Sequence, residues 1–144
     1  MLIKIIAVGR IKDRGLQAKI EELAKWISPF AKLEMIEIRD SDVEKEGAAI
    51  LKALAKDKAF VFALSEEGGE LSSEEFSRKL AGIDRRIIFV IGGPFGLAEA
   101  VKKRADFLFS LSKMTFTHEM ARLFLFEQIY RAIDIARGGK YHNG

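Results

Sequence analysis

Two histidines, a glycine pair and a charged stretch near the carboxyl end hold most of the chemistry open to this chain. His118 opens a long helical pattern, where the helix dipole disfavours a charged ring. His142 stands in the tail beside Tyr141, just past Gly138 and Gly139. A neutral imidazole can accept a proton near pH 7; a tail histidine is more often an idle surface residue. Glu127 and Arg131 are four apart on one helix face, and the plain reading is a supporting ion pair worth about 0.3–0.5 kcal/mol. Gly92-Gly93-Pro94 follows an apolar run directly. Glycine lets another molecule approach the backbone, and Pro94 biases Gly93 away from helical geometry; an ordinary turn has the same spacing. The run Leu111, Ser112, Lys113, Met114, Thr115 and Phe116 offers apolar side chains with free backbone groups. Those suit a flat, weakly polar base such as adenine, or they close the core.

Several chemistries are excluded. There are no cysteines, which removes disulfides, thiol catalysis and cysteine-ligated zinc. The histidines are far apart and no His-x-x-x-His occurs, so no metal is expected. Neither a phosphate-cradling P-loop nor G-x-G-x-x-G is present. The net charge of +3 permits an RNA or phosphate partner without demanding one. MLIKIIAVGR is too short and too soon charged for a signal peptide. Nothing approaches about 18 consecutive apolar residues, so no membrane span is expected. A cysteine-free chain fits a reducing cytoplasm.

The elements that must position these residues read as one α/β domain over residues 1–144. Apolar runs predict strands at Leu2–Val8, Leu33–Arg39, Ala59–Leu64, Arg86–Ile91 and Phe107–Ser110. Helical spacing predicts helices from Leu16 to Ile27, from Val43 (capped by Asp42) to Ala55, from a Ser72/Glu75 capping box to Gly82, and from Leu97 to Ala105. Arg10, Lys12 and Arg14 make the first loop basic, and Ser65–Leu71 reads as a glycine-containing loop. Regular alternation with continuous apolar strands argues for a mainly parallel sheet with helices on both faces. Ligands of such sheets gather beyond the strands' carboxyl ends, which selects the loops after Leu64, Ile91 and Ser110.

The last helix is capped by Thr117, has Glu119 in its first turn, and stops at Gly138-Gly139 with Arg137 as last-turn cation. Met120, Leu123, Phe124, Leu125, Phe126, Ile129, Tyr130, Ile133 and Ile135 cover most of its circumference. Helices apolar nearly all round are buried on several sides, and one sheet in so short a chain cannot do that. A second copy of the chain is therefore expected.

Together these residues resemble a known family. FVIGGPFGL (Phe89–Leu97), SLSKMTFTHEMAR (Ser110–Arg122) and EQIYRAIDIARGGKYH (Glu127–His142) are similar in order and spacing to the SPOUT class of knotted methyltransferases. The likeness is to small bacterial members that methylate N3 of a pseudouridine in 23S ribosomal RNA. It covers essentially the whole chain. It implies a C-terminal deep trefoil knot, a homodimer, S-adenosylmethionine as methyl donor, and the helix 69 stem-loop of the assembled ribosome as substrate. The implied cofactor positions are Leu64, Gly92, Gly93, Leu111, Ser112, Lys113, Met114, Thr115 and Phe116. The implied active-site positions are His118, Arg122, Glu127, Tyr130, Arg131, Tyr141 and His142, with the tail of one subunit completing the partner's site. Arg122, Arg10 and Lys140 are the expected RNA contacts. The chain departs from its relatives at Thr117, where proline is common, and in the tail at Lys140, Asn143 and Gly144. A non-catalytic RNA- or ribosome-binding protein of the same fold is the alternative.

The implied chemistry makes two demands. Donor and acceptor must be held in line, for which proximity supplies effective molarities of about 10⁵–10⁸ M. The N3 proton must leave, and a positioned base contributes about 10²–10⁴-fold. His142 is the first candidate base, then His118 or Glu127, with bulk water as the remaining alternative. Arg131 and Arg122 are candidates to stabilise charge on the uracil carbonyls, and Tyr141 to stack on a splayed base.

Overall fold

Strands and helices alternate without exception along Met1–Gly144, all of which the computed structural model describes. The order is β1 (Leu2–Val8), α1 (Arg14–Ile27), β2 (Lys32–Ile38), α2 (Val43–Leu54), β3 (Phe60–Glu70), α3 (Ser73–Ala81), β4 (Ile87–Ile91), α4 (Glu99–Arg104), β5 (Phe107–Ser110) and α5 (His118–Ala136). The strands form one sheet in the order β2-β1-β4-β3-β5, and every pairing is parallel. All five helices therefore run back over the sheet, which brings the loops after β1, β3, β4 and β5 to one end.

The period-two pleat sorts the core into two layers. Ile87, Phe89 and Ile91 of β4 face α1, α3 and α5, joining Ile5, Phe62, Leu23, Phe76, Phe126 and Ile129. Ile88 and Val90 face α2 and α4, joining Ile6, Val61, Ile50, Leu54 and Val101. β4 is buried along its whole length, so its sequence is apolar at every position rather than alternating. No helix is long and apolar enough to cross a membrane.

Helix starts follow their caps. Asp13, Asp42, Ser72 and Thr117 each accept a first-turn N–H, and Ser72 with Glu75 closes a reciprocal capping box. Asp13 starts α1 at Arg14, two residues before the expected Leu16. α4 is shorter than Leu97–Ala105, because Leu97 and Ala98 are extended chain packed into the α2 side of the core.

The one substantial difference lies at Ser65–Leu71, which is not simply a loop. β3 continues through Glu70, leaving β5 after Leu64 and rejoining it at Gly69, with both residues paired to Phe109. Ser65–Gly68 form the excursion between. Gly68 presses on the backbone of Leu108 so closely that any side chain would overlap its carbonyl. Isolated propensity cannot show a strand held by one such contact.

Candidate active site

At the carboxyl end of the sheet a cavity of about 1010 Å³ opens. Its walls come from the three loops selected above. Leu64 and the Ser65–Glu67 excursion follow β3, Gly92–Leu97 follow β4, and Leu111, Ser112 and Met114–Thr117 follow β5. His118 and Glu119, the first residues of α5, and Asp13 and Leu16 at the start of α1 complete it. Of the nine expected cofactor positions, eight line this cavity. Lys113 does not, and its side chain is exposed.

The chain's own contacts account for both glycines of the turn, as the ordinary-turn reading has it. Gly96 N–H donates to Gly93 O at 3.0 Å, closing a turn over Pro94 and Phe95, and Gly96 takes φ 81°. A Cβ on Gly92 would lie 2.7 Å from the Gly96 carbonyl oxygen, and one on Gly93 would lie 3.1 Å from Val8 Cγ1. Both glycines are buried by the protein itself and serve to fold the turn. The β5 loop is tied internally. Ser110 Oγ donates to Ser112 O at 2.7 Å, Met114 N–H donates to Ser112 Oγ at 3.0 Å, and Thr115 Oγ1 donates to Glu66 Oε2 at 2.7 Å.

The cavity is half apolar and distinctly acidic. Leu16, Leu64, Leu111, Met114 and Phe116 supply apolar wall, while Asp13, Glu66, Glu67 and Glu119 face one lysine, Lys102. Lys102 is already paired with Glu67 at 3.1 Å and Glu99 at 3.7 Å. No free cation lines the wall to neutralise a phosphate. The wall suits a flat base and a positively charged ligand.

Arg122 corrects an expectation. It is 2% exposed, with Nη1 donating to Glu37 at 2.7 Å and Nη2 to the Gly9 carbonyl at 2.9 Å. Its Nε is buried without a partner. A guanidinium committed in this way cannot meet an RNA phosphate; it ties α5 to the ends of β1 and β2. Arg10 and Lys140 are exposed.

The remaining expected residues gather elsewhere. Glu127 accepts from Arg131 Nη2 at 2.6 Å, Arg131 Nε at 3.3 Å and Tyr141 OH at 2.8 Å. His142 Nδ1 lies 2.9 Å from Arg131 Nη1, and its Nε2 lies 2.6 Å from Glu74 Oε1 on α3. A guanidinium has no acceptor, so Nδ1 accepts and Nε2 carries the proton donated to Glu74. Trp26, Tyr130 and Tyr141 pack at steep angles to one another beside this cluster.

Charge responds accordingly. Burial pushes the Glu127 carboxyl upward, but the bonds from Arg131 and Tyr141 outweigh it and hold it below the usual carboxylate range. The same bond to Glu127 raises Arg131. Burial, then the Glu127 carboxylate, raises the Tyr141 phenol. His142 holds Glu74 low.

None of Glu127, Arg131, Tyr141 or His142 lines the cavity of its own chain. His118 and Arg131 are thirteen positions apart on α5, which is roughly 20 Å along a helix. Two residues of this cluster escaped the sequence reading. Glu74 stands in the first turn of α3 and was given no role. Asp134, buried on the last turns of α5, accepts Tyr141 N–H at 2.9 Å and pairs with Arg137 at 2.8 Å. An acid between two isoleucines, one turn before a glycine stop, was the available signal.

The model of the family described as "Predicted SPOUT methyltransferase" matches residues 1–142. The chain is 44% identical over 140 residues to the ribosomal RNA large subunit methyltransferase H of Prochlorococcus marinus, covering 96% of this chain and 94% of that one. It is 45% identical over 150 residues to the protein of that name from Acholeplasma laidlawii, covering 99% of each. Among solved structures, a probable methylase family protein from Haemophilus influenzae superposes with TM-score 0.62 at 14% identity, over 99% of this chain and 70% of that one. The tRNA (m1G37) methyltransferase from Aquifex aeolicus gives 0.54 at 17% identity, over 91% and 70%; at such identities these two show the fold alone. The chain belongs to the SPOUT methyltransferase family and, within it, to the ribosomal RNA large subunit methyltransferase H type.

Proposed function

We propose that the protein moves a methyl group from S-adenosylmethionine to N3 of a pseudouridine in the helix 69 stem-loop of 23S ribosomal RNA, acting on the assembled ribosome as a knotted homodimer. The observation that carries this reading is the convergence of the β3, β4 and β5 loops on one acidic, half-apolar cavity. Leu64, Leu111, Met114 and Phe116 would hold the adenine. The backbone of the Gly92–Gly96 turn would fix its edge, and Glu66 or Glu119 would face the donor's positive charge. When bound, the donor supplies a methyl already activated by its sulfonium.

Two features favour a second subunit. Phe95 and Met114 at the cavity mouth are 84% and 74% exposed, and Met120, Leu123, Phe124, Tyr130 and Ile135 of α5 are only half-buried within one chain. Such a band is unusual on a lone soluble domain. The separation of cavity and tail cluster within one chain favours a working site that joins one protomer's cavity to its partner's tail.

In the resting cluster the His142 lone pair is held by Arg131. We assign Arg131 two linked roles. Its guanidinium leaves Nδ1 for a uracil carbonyl of the substrate, stabilising charge there, and so frees Nδ1 to take the N3 proton. Glu74 and Glu127 keep ring and guanidinium in place, and Tyr141 stacks on the base. Calorimetry with S-adenosylmethionine, followed by labelled-methyl transfer to free 23S RNA, large subunits and whole ribosomes, tests the reading. Cofactor binding with label on pseudouridine N3 supports it; binding without transfer to any substrate favours the non-catalytic alternative.

A further inference from the structure

The β1–α1 loop and the first residue of α1 place Arg10, Lys12 and Arg14 within five residues, and Arg39 follows β2 beside them, since Gly9 N–H donates to Ile38 O at 2.8 Å. All four side chains are exposed. None enters an ion pair within the chain. The nearby Asp13 and Asp42 carboxylates are turned into the N-caps of α1 and α2, which leaves Asp40 as the one uncommitted acid of these two loops.

The backbone carrying these cations is held firmly. Lys12 N–H and Asp13 N–H both donate to Glu119 Oε1, at 3.1 and 3.3 Å. The Gly9 carbonyl accepts from the buried Arg122. Glu119 and Arg122 sit one and four residues beyond His118, which lines the cavity, and Asp13 and Leu16 of the loop and α1 line it too. A row of unpaired cations is thus locked to the helix end that walls the cavity. Inside the protein that arrangement brings only mutual repulsion.

We propose that this loop, with Arg39, is a docking strip for the phosphate backbone of the RNA substrate at the cavity mouth. The inference rests on the ribosomal RNA methyltransferase reading. The acidic cavity repels a polyanion and the chain as a whole is only mildly basic, so the strand must be gripped outside the cavity by a local concentration of cations. No aromatic residue interleaves them, so the strip grips phosphate and does not read bases. Its fixed link to α5 sets the distance from gripped backbone to cavity, which is what preorganisation requires.

The test compares two triple variants with equal change in net charge. One is Arg10→Gln, Lys12→Gln, Arg14→Gln. The other is Lys52→Gln, Lys56→Gln, Lys58→Gln, three exposed lysines at the end of α2 and in the loop to β3, at the opposite end of the sheet. Binding to 23S RNA and to ribosomes is measured against salt, alongside S-adenosylmethionine affinity and sedimentation. Each phosphate contact contributes about 0.7–0.9 to the slope of log affinity against log salt. The loop variant is expected to lose roughly 2 from that slope and to bind about 10–100-fold more weakly at physiological salt, with cofactor affinity unchanged. The lysine variant is expected to match wild type. Equal behaviour of the two variants overturns the strip. So does loss of binding accompanied by altered sedimentation, which would assign the loop to a subunit or protein contact. Wild type that binds RNA yet never methylates it would instead refute the catalytic reading and leave the slope comparison to judge the strip.

Discussion

Arg131 Nη1 and His142 Nδ1 lie 2.9 Å apart, and only the arginine of the two must donate. In that arrangement Nδ1 accepts and the proton sits on Nε2, pointed at Glu74, with the lone pair covered by the guanidinium. In the proposed mechanism that single relationship would make the tail histidine a base held in reserve by the guanidinium.

Removing the ring should cost the chemistry and spare the cofactor. His142→Ala is expected to lower methyl transfer about 10²-fold or more while S-adenosylmethionine affinity stays at wild type. Glu74→Ala should fall between the two, and Glu74→Gln, which keeps an accepting oxygen, should retain most activity. Single-turnover kinetics and calorimetry measure both; equal loss of binding and transfer in His142→Ala would remove the ring from the catalytic step.

The cluster also sets a pH response. Glu127 and Glu74 are held below the usual carboxylate range. A group depressed in the folded state contributes stability that is present above its unfolded pKa and lost as pH falls through its folded one. The stabilisation these two carboxylates give tail docking should therefore begin to fall as pH enters the ordinary carboxylate range and be lost below it. Trp26 fluorescence reports this, its ring being 6.4 Å from that of Tyr141. Glu127→Gln should weaken docking at neutral pH and flatten the acid transition.

Gly139 is a sharper probe of tail position. The Asp134 carboxylate occupies the space a side chain there would need, while also accepting Tyr141 N–H. Gly139→Ala should push the tail off Asp134 and lower transfer by about 10²-fold, the scale of a misplaced reacting group. Cofactor binding should be unchanged.

Arg122 should behave as a structural residue. Arg122→Ala strands the Gly9 carbonyl and is expected to destabilise by about 1–3 kcal/mol, read from the midpoint of urea unfolding. Arg122→Lys should not restore it, since one ammonium cannot reproduce the fork that reaches both Glu37 and Gly9. Unchanged stability with weakened RNA binding would return Arg122 to the surface role expected from sequence.

These residues also show what was legible beforehand. β4 and β3 announced themselves because continuous apolar runs have few other uses, and the caps at Asp42, Ser72 and Thr117 are local chemistry. The cavity loops followed from the parallel order alone. Arg122 misled because an arginine on a helix ordinarily reaches solvent, and its burial depends on Glu37 and Gly9, distant in sequence. Glu74 and Asp134 were missed for the same reason: each matters only once α3, α5 and the tail meet. Spacing singled out Tyr141 and His142 only as a pair after a glycine stop; the roles proposed for them lean on the family resemblance.

Whether one protomer's cavity works with its partner's tail is decided by subunit mixing. Gly92→Ala, which crowds the Gly96 carbonyl, disables the cavity; Arg131→Ala disables the tail. Each is expected to be inactive alone. After equal mixing and exchange, half of the dimers are mixed and each holds one intact composite site, so methyl transfer should return to about a quarter of wild type. If the mixture stays as inactive as its parents while mixed dimers form, cavity and tail act within one chain and no partner completes the site.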